Sequence, residues 1–241
     1  MSSEDLPRLD ALIKETARRQ LTEAGATGLT LQTVAVGSGV TVAEVQPFFA
    51  DRDELLTALI IDAYNTSGEA MEQADPGERE TDAGARLLAV ARALREWSFA
   101  NPAEFALIYG SPVPGYAAPE TTVAPASRTP AALAAVLRSA LAAGSLTPPK
   151  RPLPGPTLVT ADAVALFGGQ PEAPYGDLLE RGIVLWSNLI GLLVFQVFSR
   201  THDSVADQSA FFDYAVAVAA EAVGLTVPLE DSRREVAAAG S

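Results

Sequence analysis

The feature that most constrains the fold is the spacing of apolar residues, which recur at intervals of three and four along most of the 241-residue chain. Leu9, Ile13, Ala17 and Leu21 show this spacing in the first segment. It is typical of amphipathic helices, and alternating strand patterns are scarce. With 48% hydrophobic residues, the chain can bury a core in one or two domains. The sequence therefore predicts an all-α protein.

Capping residues, glycines and prolines divide this pattern into separate helices. Short helices begin after Thr30 and Thr41, and a longer helix follows Asp51. Asn101-Pro102 is a further helix start. The other predicted helices span 7–24, 81–100, 131–143, 161–167, 175–200 and 204–223. We expect an N-terminal helix-turn-helix domain at 1–66, a C-terminal helical domain for ligand binding and dimerisation at 67–225, and a flexible tail at 226–241.

Residues 30–49, TLQTVAVGSGVTVAEVQPFF, form the segment that suggests DNA binding. A short helix, a turn containing glycines and a second short helix are typical of a helix-turn-helix. Thr30 and Thr41 stand where hydroxyl and N–H groups can meet phosphates. Taken alone, these residues leave an ordinary helical hairpin open.

The order of the elements adds a resemblance over residues 9–64. A long helix, TGLTLxxVA, GVT and FADRDELL follow one another as in the DNA-binding domain of the TetR family, which this segment resembles. Further along, WSFANP at 97–102 and YGSPVPGY at 109–116 look like the WHG-type regulatory domain of a subset of that family. The resemblance implies a transcriptional regulator, most simply a repressor, bound to a pseudo-palindromic double-stranded operator.

The residues of this segment can be given roles in reading DNA. Gln46 suits adenine, Glu44 suits cytosine and Val42 suits a thymine methyl group, although solvated surface is the alternative for the two polar residues. Arg52 stands where the family often has a lysine that faces the DNA backbone. The predicted DNA contacts are Thr30, Gln32, Thr33, Thr41, Val42, Glu44, Gln46 and Arg52.

The same segment departs from the family pattern. Gln46-Pro47-Phe48 replaces a tyrosine, often followed by a basic residue and histidine, that normally supplies phosphate contacts. Pro47 lacks an N–H, which predicts that the helix ends at Gln46. Between residues 27 and 56, Arg52 is the one basic residue against four acidic residues. The alternative function is therefore a ligand- or protein-binding module on the TetR fold, with weakened or lost DNA binding.

The resemblance also implies a small, unidentified effector inside the C-terminal domain. Concave ligand sites are mostly apolar with a few polar groups. Aromatic residues at helical spacing also fill cores, and that reading stays open. The predicted lining is Trp97, Phe105, Tyr109, Trp186, Asn188, Leu189 and Leu193, with Phe195 beside it.

In the family, the last two helices of each subunit form a four-helix dimer interface. One predicted face holds Leu185, Leu189, Leu192, Leu193 and Gln196, and the other holds Phe211, Ala215, Val218, Ala219 and Ala222. A two-fold homodimer would present two DNA-binding surfaces, and the effector would shift the population between spacings that fit the operator and spacings that do not.

Several classes of function are disfavoured by composition. The chain has no cysteine and one histidine, which excludes thiolate sites and histidine-cluster metal sites. No catalytic or dinucleotide motif is present, so we expect neither an enzyme nor a bound cofactor. A net charge of −13 argues against non-specific nucleic-acid binding by the whole surface.

The membrane question depends on residues 182–199, GIVLWSNLIGLLVFQVFS, which approach the length of a membrane span. Ser187, Asn188 and Gln196 interrupt this run, so we interpret it as a helix buried in a domain or subunit core. The acidic N-terminus does not resemble a signal peptide. We expect a cytoplasmic protein without a membrane partner.

Overall fold

The computed structural model describes residues 5–77, 81–151, 157–200 and 204–229. Within these ranges the regular structure is helical and no strand occurs, which confirms the all-α prediction. The helices are α1 (Asp5–Gly28), α2 (Leu31–Ser38), α3 (Val42–Val45), α4 (Arg52–Ala74), α5 (Ala83–Ala100), α6 (Pro102–Tyr109), α7 (Val123–Ala126), α8 (Arg128–Ala142), α9 (Ala161–Phe167), α10 (Leu178–Val197) and α11 (Gln208–Ala220). Short 3-10 turns occupy Glu120–Thr122 and Glu221–Val223.

The chain divides into two compact units. The N-terminal unit comprises Met1–Ser67 and Ser98–Arg128, and the C-terminal unit comprises Gly68–Trp97 and Thr129–Ser241. The functional domain boundaries at 66 and 225 remain a prediction. Of the predicted tail, Val227 is buried, and residues 230–241 lie outside the described residues.

Side chains from α1 to α4 form one core in the N-terminal unit, and the helices around it pack closely. Ile13, Leu29 and Val34 are fully buried there. The small residue Ala35 is buried there too. Helices α1 and α2 approach each other closely at Gly37, where an added Cβ would lie 2.7 Å from Thr16 Cγ2. Glycine at position 37 therefore allows α2 to cross α1 closely.

Capping side chains set the helix starts close to their predicted positions. Asp51 Oδ1 accepts the N–H groups of Asp53 and Glu54, both at 2.9 Å, at the start of α4. Helix α5 begins at Ala83, slightly later than predicted, because Asp82 caps it by accepting the N–H groups of Gly84 and Ala85. Capping thus fixes most of the boundaries that the sequence indicates.

Helices α10 and α11 belong to the C-terminal unit and are both shorter than predicted. Leu178, Leu193 and Phe212 are buried in its core. Helix α10 is the one helix in the described ranges that is long and apolar enough to cross a membrane, a test that core helices also pass. Within this single chain 28% of its most apolar stretch is buried, and its exposed residues include Ile183, Val184 and Phe195.

Candidate nucleic-acid interface and apolar groove

Residues 30–49, here called the reading segment, form a helix-turn-helix in the N-terminal unit. Gly39 ends α2 in the left-handed conformation, with φ of 71°, and lets the chain turn into α3. Helix α3 is a single turn that ends at Val45 with Gln46 as its C-cap, one residue before the end that Pro47 predicts. A hydrogen bond from the Phe48 N–H to the Val45 carbonyl continues the chain as a turn. The second helix of the motif is therefore unusually short.

The start of α2 is held by a hydroxyl and amide network. The Thr30 hydroxyl oxygen accepts the N–H of Thr33 at 3.1 Å and caps the helix. Gln20 on α1 donates to the Thr33 carbonyl at 2.7 Å and accepts the Thr33 hydroxyl at 2.8 Å. Sequence reasoning missed Gln20, because only the crossing of α1 and α2 brings it to Thr33. Two predicted DNA contacts, Thr30 and Thr33, thus share a fixed turn.

The start of α3 is a capping box formed by Thr41 and Glu44. Glu44 Oε2 accepts the backbone N–H and the hydroxyl of Thr41, both at 2.8 Å. These two hydrogen bonds hold the pKa of the Glu44 carboxyl below its ordinary value of 4.5. The carboxylate that was assigned to cytosine therefore already has two donors.

Arg52, the first residue of α4, points its guanidinium at the end of α1. Nε donates to the carbonyl of Leu29 at 3.0 Å, and Nη2 donates to the carbonyl of Ala26 at 2.9 Å. Nη1 lies 3.5 Å from the Asp53 carboxylate. Each guanidinium nitrogen thus faces an acceptor within the same unit.

The remaining predicted contacts present a neutral surface. Gln32 and Gln46 are exposed, and Val42 is half-buried against the core of the N-terminal unit. Among the cations of α1, Lys14 and Arg18 pair with Asp62 at 3.3 Å and 2.9 Å. The reading segment therefore offers amides, hydroxyls and methyl groups rather than cations.

Helix α6 and the loop after it pack against the core of α1–α4, which the sequence did not indicate. The hydroxyls of Tyr116 and Thr57 lie 2.9 Å apart, and Tyr116 packs on that core. Tyr64 stands edge-on to Tyr109, and burial raises the pKa of its phenol. Phe105 lies 5.3 Å from Tyr109, centroid to centroid, and is fully buried. Two predicted effector residues, Phe105 and Tyr109, thus belong to the N-terminal unit.

The C-terminal unit carries an apolar groove of about 890 Å³. Two predicted effector residues, Asn188 and Leu189, line it, and so does Phe195. Asn188 is exposed, but its amide donates to the Val184 carbonyl of its own helix at 2.8 Å. The face predicted for dimerisation also lines the groove, through Phe211, Ala215, Val218 and Ala219 of α11 and Ala222 of the 3-10 turn that follows.

Other residues that the sequence predicted for the effector site or the dimer face are wholly or partly buried inside the C-terminal unit. Trp97 and Leu193 are buried, and Trp186 is half-buried. Gln196, expected on the dimer face, is buried instead because it bonds within the unit. It accepts from Arg95 Nε at 2.9 Å and donates to the Gln208 carbonyl at 2.9 Å. Leu185, Leu189 and Leu192 of the predicted α10 face do line the groove. The exposed apolar residues of α10 are Ile183, Val184 and Phe195.

Comparisons with known proteins cover most of the chain. The family described as "Tetracyclin repressor-like, C-terminal domain" matches residues 87–219. The HTH-type transcriptional regulators Rv1816 of Mycobacterium tuberculosis and Mb1846 of Mycobacterium bovis are each 33% identical over 210 residues, which is 86% of this chain and 88% of each relative. The WHG-type subset stays a prediction.

Solved structures show the same fold. The regulatory protein SCO4313 is 26% identical with a TM-score of 0.68, and the match covers 91% of this chain and 98% of that one. RolR, solved in complex with resorcinol, is 16% identical with a TM-score of 0.51, covering 95% of this chain and 100% of that one.

Proposed function

Because the chain belongs to the TetR family of DNA-binding transcriptional regulators, and is a regulator rather than an enzyme, we propose that it is a ligand-responsive repressor. It binds a pseudo-palindromic operator as a homodimer in the cytoplasm. The observation that carries the proposal is the helix-turn-helix of α2 and α3, which is capped at both helix starts and exposes a face of neutral polar groups.

Sequence readout in this proposal comes from exposed amides. Gln46 and Gln32 can donate and accept at once, the pattern that adenine offers in the major groove. Val42 can meet a thymine methyl group. Thr30, Thr33 and Thr41 hold the two helix starts. On binding DNA, the Thr33 and Thr41 hydroxyls would redirect the protons they donate to Gln20 and Glu44 toward phosphates.

Dimerisation is supported by the open face of α10 and α11. Val184, Phe195 and Val218 are each about half exposed in the single chain, and Tyr214 is 57% exposed. A contiguous apolar surface of this kind marks an interaction site in a soluble protein. A second copy can cover it by two-fold symmetry, because the same face is then used twice.

The same groove, closed over by the second copy, is the proposed site for a small effector. Its volume of about 890 Å³ falls within the usual range of ligand sites. Since Ser187 and Asn188 direct their donors to their own helix, the lining favours a neutral, largely apolar molecule. RolR shows that a protein of this fold can be solved with a small ligand, resorcinol. We propose that the effector contacts Asn188 and Leu189, with Trp97, Trp186 and Leu193 in the unit behind them.

The second candidate is the TetR-fold binding module with weakened DNA binding. It is favoured by Pro47, which shortens α3, and by the internal hydrogen bonds of Glu44 and Arg52. Phe105 and Tyr109, which the sequence predicted as effector contacts, pack in the N-terminal unit under either candidate.

Selection of genomic DNA fragments by the purified protein separates the two candidates. The selection is run at about 50 mM salt and repeated at about 200 mM salt, a range over which phosphate contacts change affinity strongly. Enrichment of one palindromic site supports the repressor. No enrichment by a folded dimer, at either salt concentration and with or without cell extract as a source of effector, supports the binding module.

A further inference from the structure

We infer that Arg52 is a positioning residue of the operator-binding surface, acting through the start of α2, and not a contact to the DNA backbone. The inference rests on the proposed function, since it assigns a role within the same surface. The family resemblance puts a phosphate-facing cation at this position, whereas the geometry directs the guanidinium into the N-terminal unit.

The guanidinium bridges a carbonyl in the last turn of α1 and one in the link to α2, and the first of these, Ala26, also accepts the Leu29 N–H at 3.3 Å. Gly25, with φ of 66°, interrupts the helical geometry of α1, so the Ala26 carbonyl lies in a distorted last turn. The Leu29 carbonyl lies in the link between α1 and α2. Carbonyls at a helix end need donors from elsewhere, and a cation is favoured there by the helix dipole. Arg52 supplies both donors from the first turn of α4.

The position of Leu29 controls the position of α2. Leu29 is fully buried and directly precedes Thr30, the residue that caps α2. Arg52 therefore holds the entry to α2 from α4, while Gln20 holds Thr33 from α1. The start of α2 carries two of the proposed DNA contacts, Thr30 and Thr33. A binding site of this kind loses affinity when the residues that support it no longer fix its geometry.

Lysine is the variant that separates the two roles. A phosphate contact needs a cation, and lysine supplies one as a point charge. The bridge needs two nitrogens held in a fixed fork, which lysine lacks. Arg52→Lys therefore keeps the charge and removes the bridge, whereas Arg52→Gln removes both.

The experiment measures operator affinity against salt concentration for the full-length protein, R52K and R52Q, with K150Q as the control for charge. Lys150 is an exposed cation of the C-terminal unit. We expect R52K and R52Q to lose affinity alike, by about tenfold, with the salt slope of the wild type. K150Q should stay within about twofold of wild type. The inference is overturned if R52K binds the operator as tightly as wild type while R52Q shows a shallower salt dependence. The slope of log affinity against log salt concentration would then fall by about 0.9 for each DNA-binding surface.

Amide hydrogen exchange provides a second readout that needs no operator. The N–H groups of Thr33 and Val34 bond to Thr30 in the first turn of α2. In R52K these two amides should exchange about tenfold faster than in wild type, while amides in the middle of α4 stay protected. Unchanged exchange at Thr33 and Val34 overturns the inference. If wild type selects no operator, the proposed function fails, and the exchange measurement still decides the role of Arg52.

Discussion

Glu44 lies one helical turn after Thr41, and its Oε2 accepts both the backbone N–H and the hydroxyl of that residue at 2.8 Å. The carboxylate therefore serves the N-terminus of the shortest helix in the reading segment, where a negative charge also complements the helix dipole. The stability of this turn is thereby linked to the ionisation of one exposed side chain.

This link predicts a pH dependence that Glu44→Gln removes. The pKa of Glu44 is lower in the folded protein than its ordinary value of 4.5, because the Thr41 N–H and hydroxyl stabilise the carboxylate. The contribution of the ionised Glu44 carboxylate to the stability of the folded protein is then fully present above pH 4.5 and is lost as the pH falls through the lowered pKa. Between about pH 6 and pH 3, the Tm of wild type should fall further than that of E44Q. The control is E23Q, which changes an exposed carboxylate of α1. Parallel curves for wild type and E44Q would contradict the assignment.

Pro47 is exposed at the position where the family normally places a phosphate contact, and this predicts a gain of function. Pro47→Lys restores an N–H and adds one cation to each DNA-binding surface. Operator affinity should rise, and the salt slope should steepen by about 1.8 per dimer, because two phosphate contacts are gained. Affinity titrations across a range of salt concentrations measure both effects. Gln73→Lys, an exposed change in the C-terminal unit, is the matched control. Equal slopes for the two variants would show that residue 47 does not face the DNA backbone.

The open face of α10 and α11 predicts that one buried charge breaks the dimer. Val218 lines the groove and is 51% exposed in the single chain. Val218→Glu would bury an unpaired carboxylate in a two-fold interface and should weaken self-association more than about 100-fold. Sedimentation velocity over a concentration series measures this. Leu158→Glu, at an apolar position that is 87% exposed, should remain as dimeric as wild type. If V218E is still a dimer, the dimer interface lies on another surface of the protein.

The helices and their caps could be predicted from the sequence because these features depend on neighbouring residues. Thr30, Thr41 and Asp51 stand at the helix starts as expected, and α3 ends at Val45, within one residue of the end predicted from Pro47. The direction of long side chains could not be predicted, because it depends on which helices cross. Arg52 bonds to carbonyls 23 and 26 residues away, and Gln20 reaches Thr33 only through the crossing of α1 and α2.

The candidate effector residues show the same limit. Leu189 and Leu193 are four residues apart on one helix, share its apolar pattern and are both buried, yet only Leu189 lines the groove. The broad apolar face of α10 contains both environments. Periodicity identifies the helix, but only the packing of the unit tells which part of that face stays open.

The close approach of the C-terminal segment to α5 gives a prediction about stability. A Cβ added at Gly84 would lie 1.9 Å from the carbonyl oxygen of Thr226, which is backbone and cannot move aside as a side chain can. Leu225 and Val227 on either side are buried, so the segment has little room to shift. Gly84→Ala should lower the free energy of unfolding by about 1–3 kcal/mol, measured by urea denaturation.

Gly182→Ala is the control for the effect of alanine on a helix. At Gly182 the new Cβ would lie 3.4 Å from Leu137 Cδ1, an ordinary contact, so that variant should be neutral or up to about 1 kcal/mol more stable. The comparison also tests the tail that the sequence places from residue 226 onward. If G84A loses stability and G182A does not, residues 225–227 are part of the folded C-terminal unit. If G84A matches G182A, these residues do not dock on α5, and the flexible tail begins where the sequence predicts.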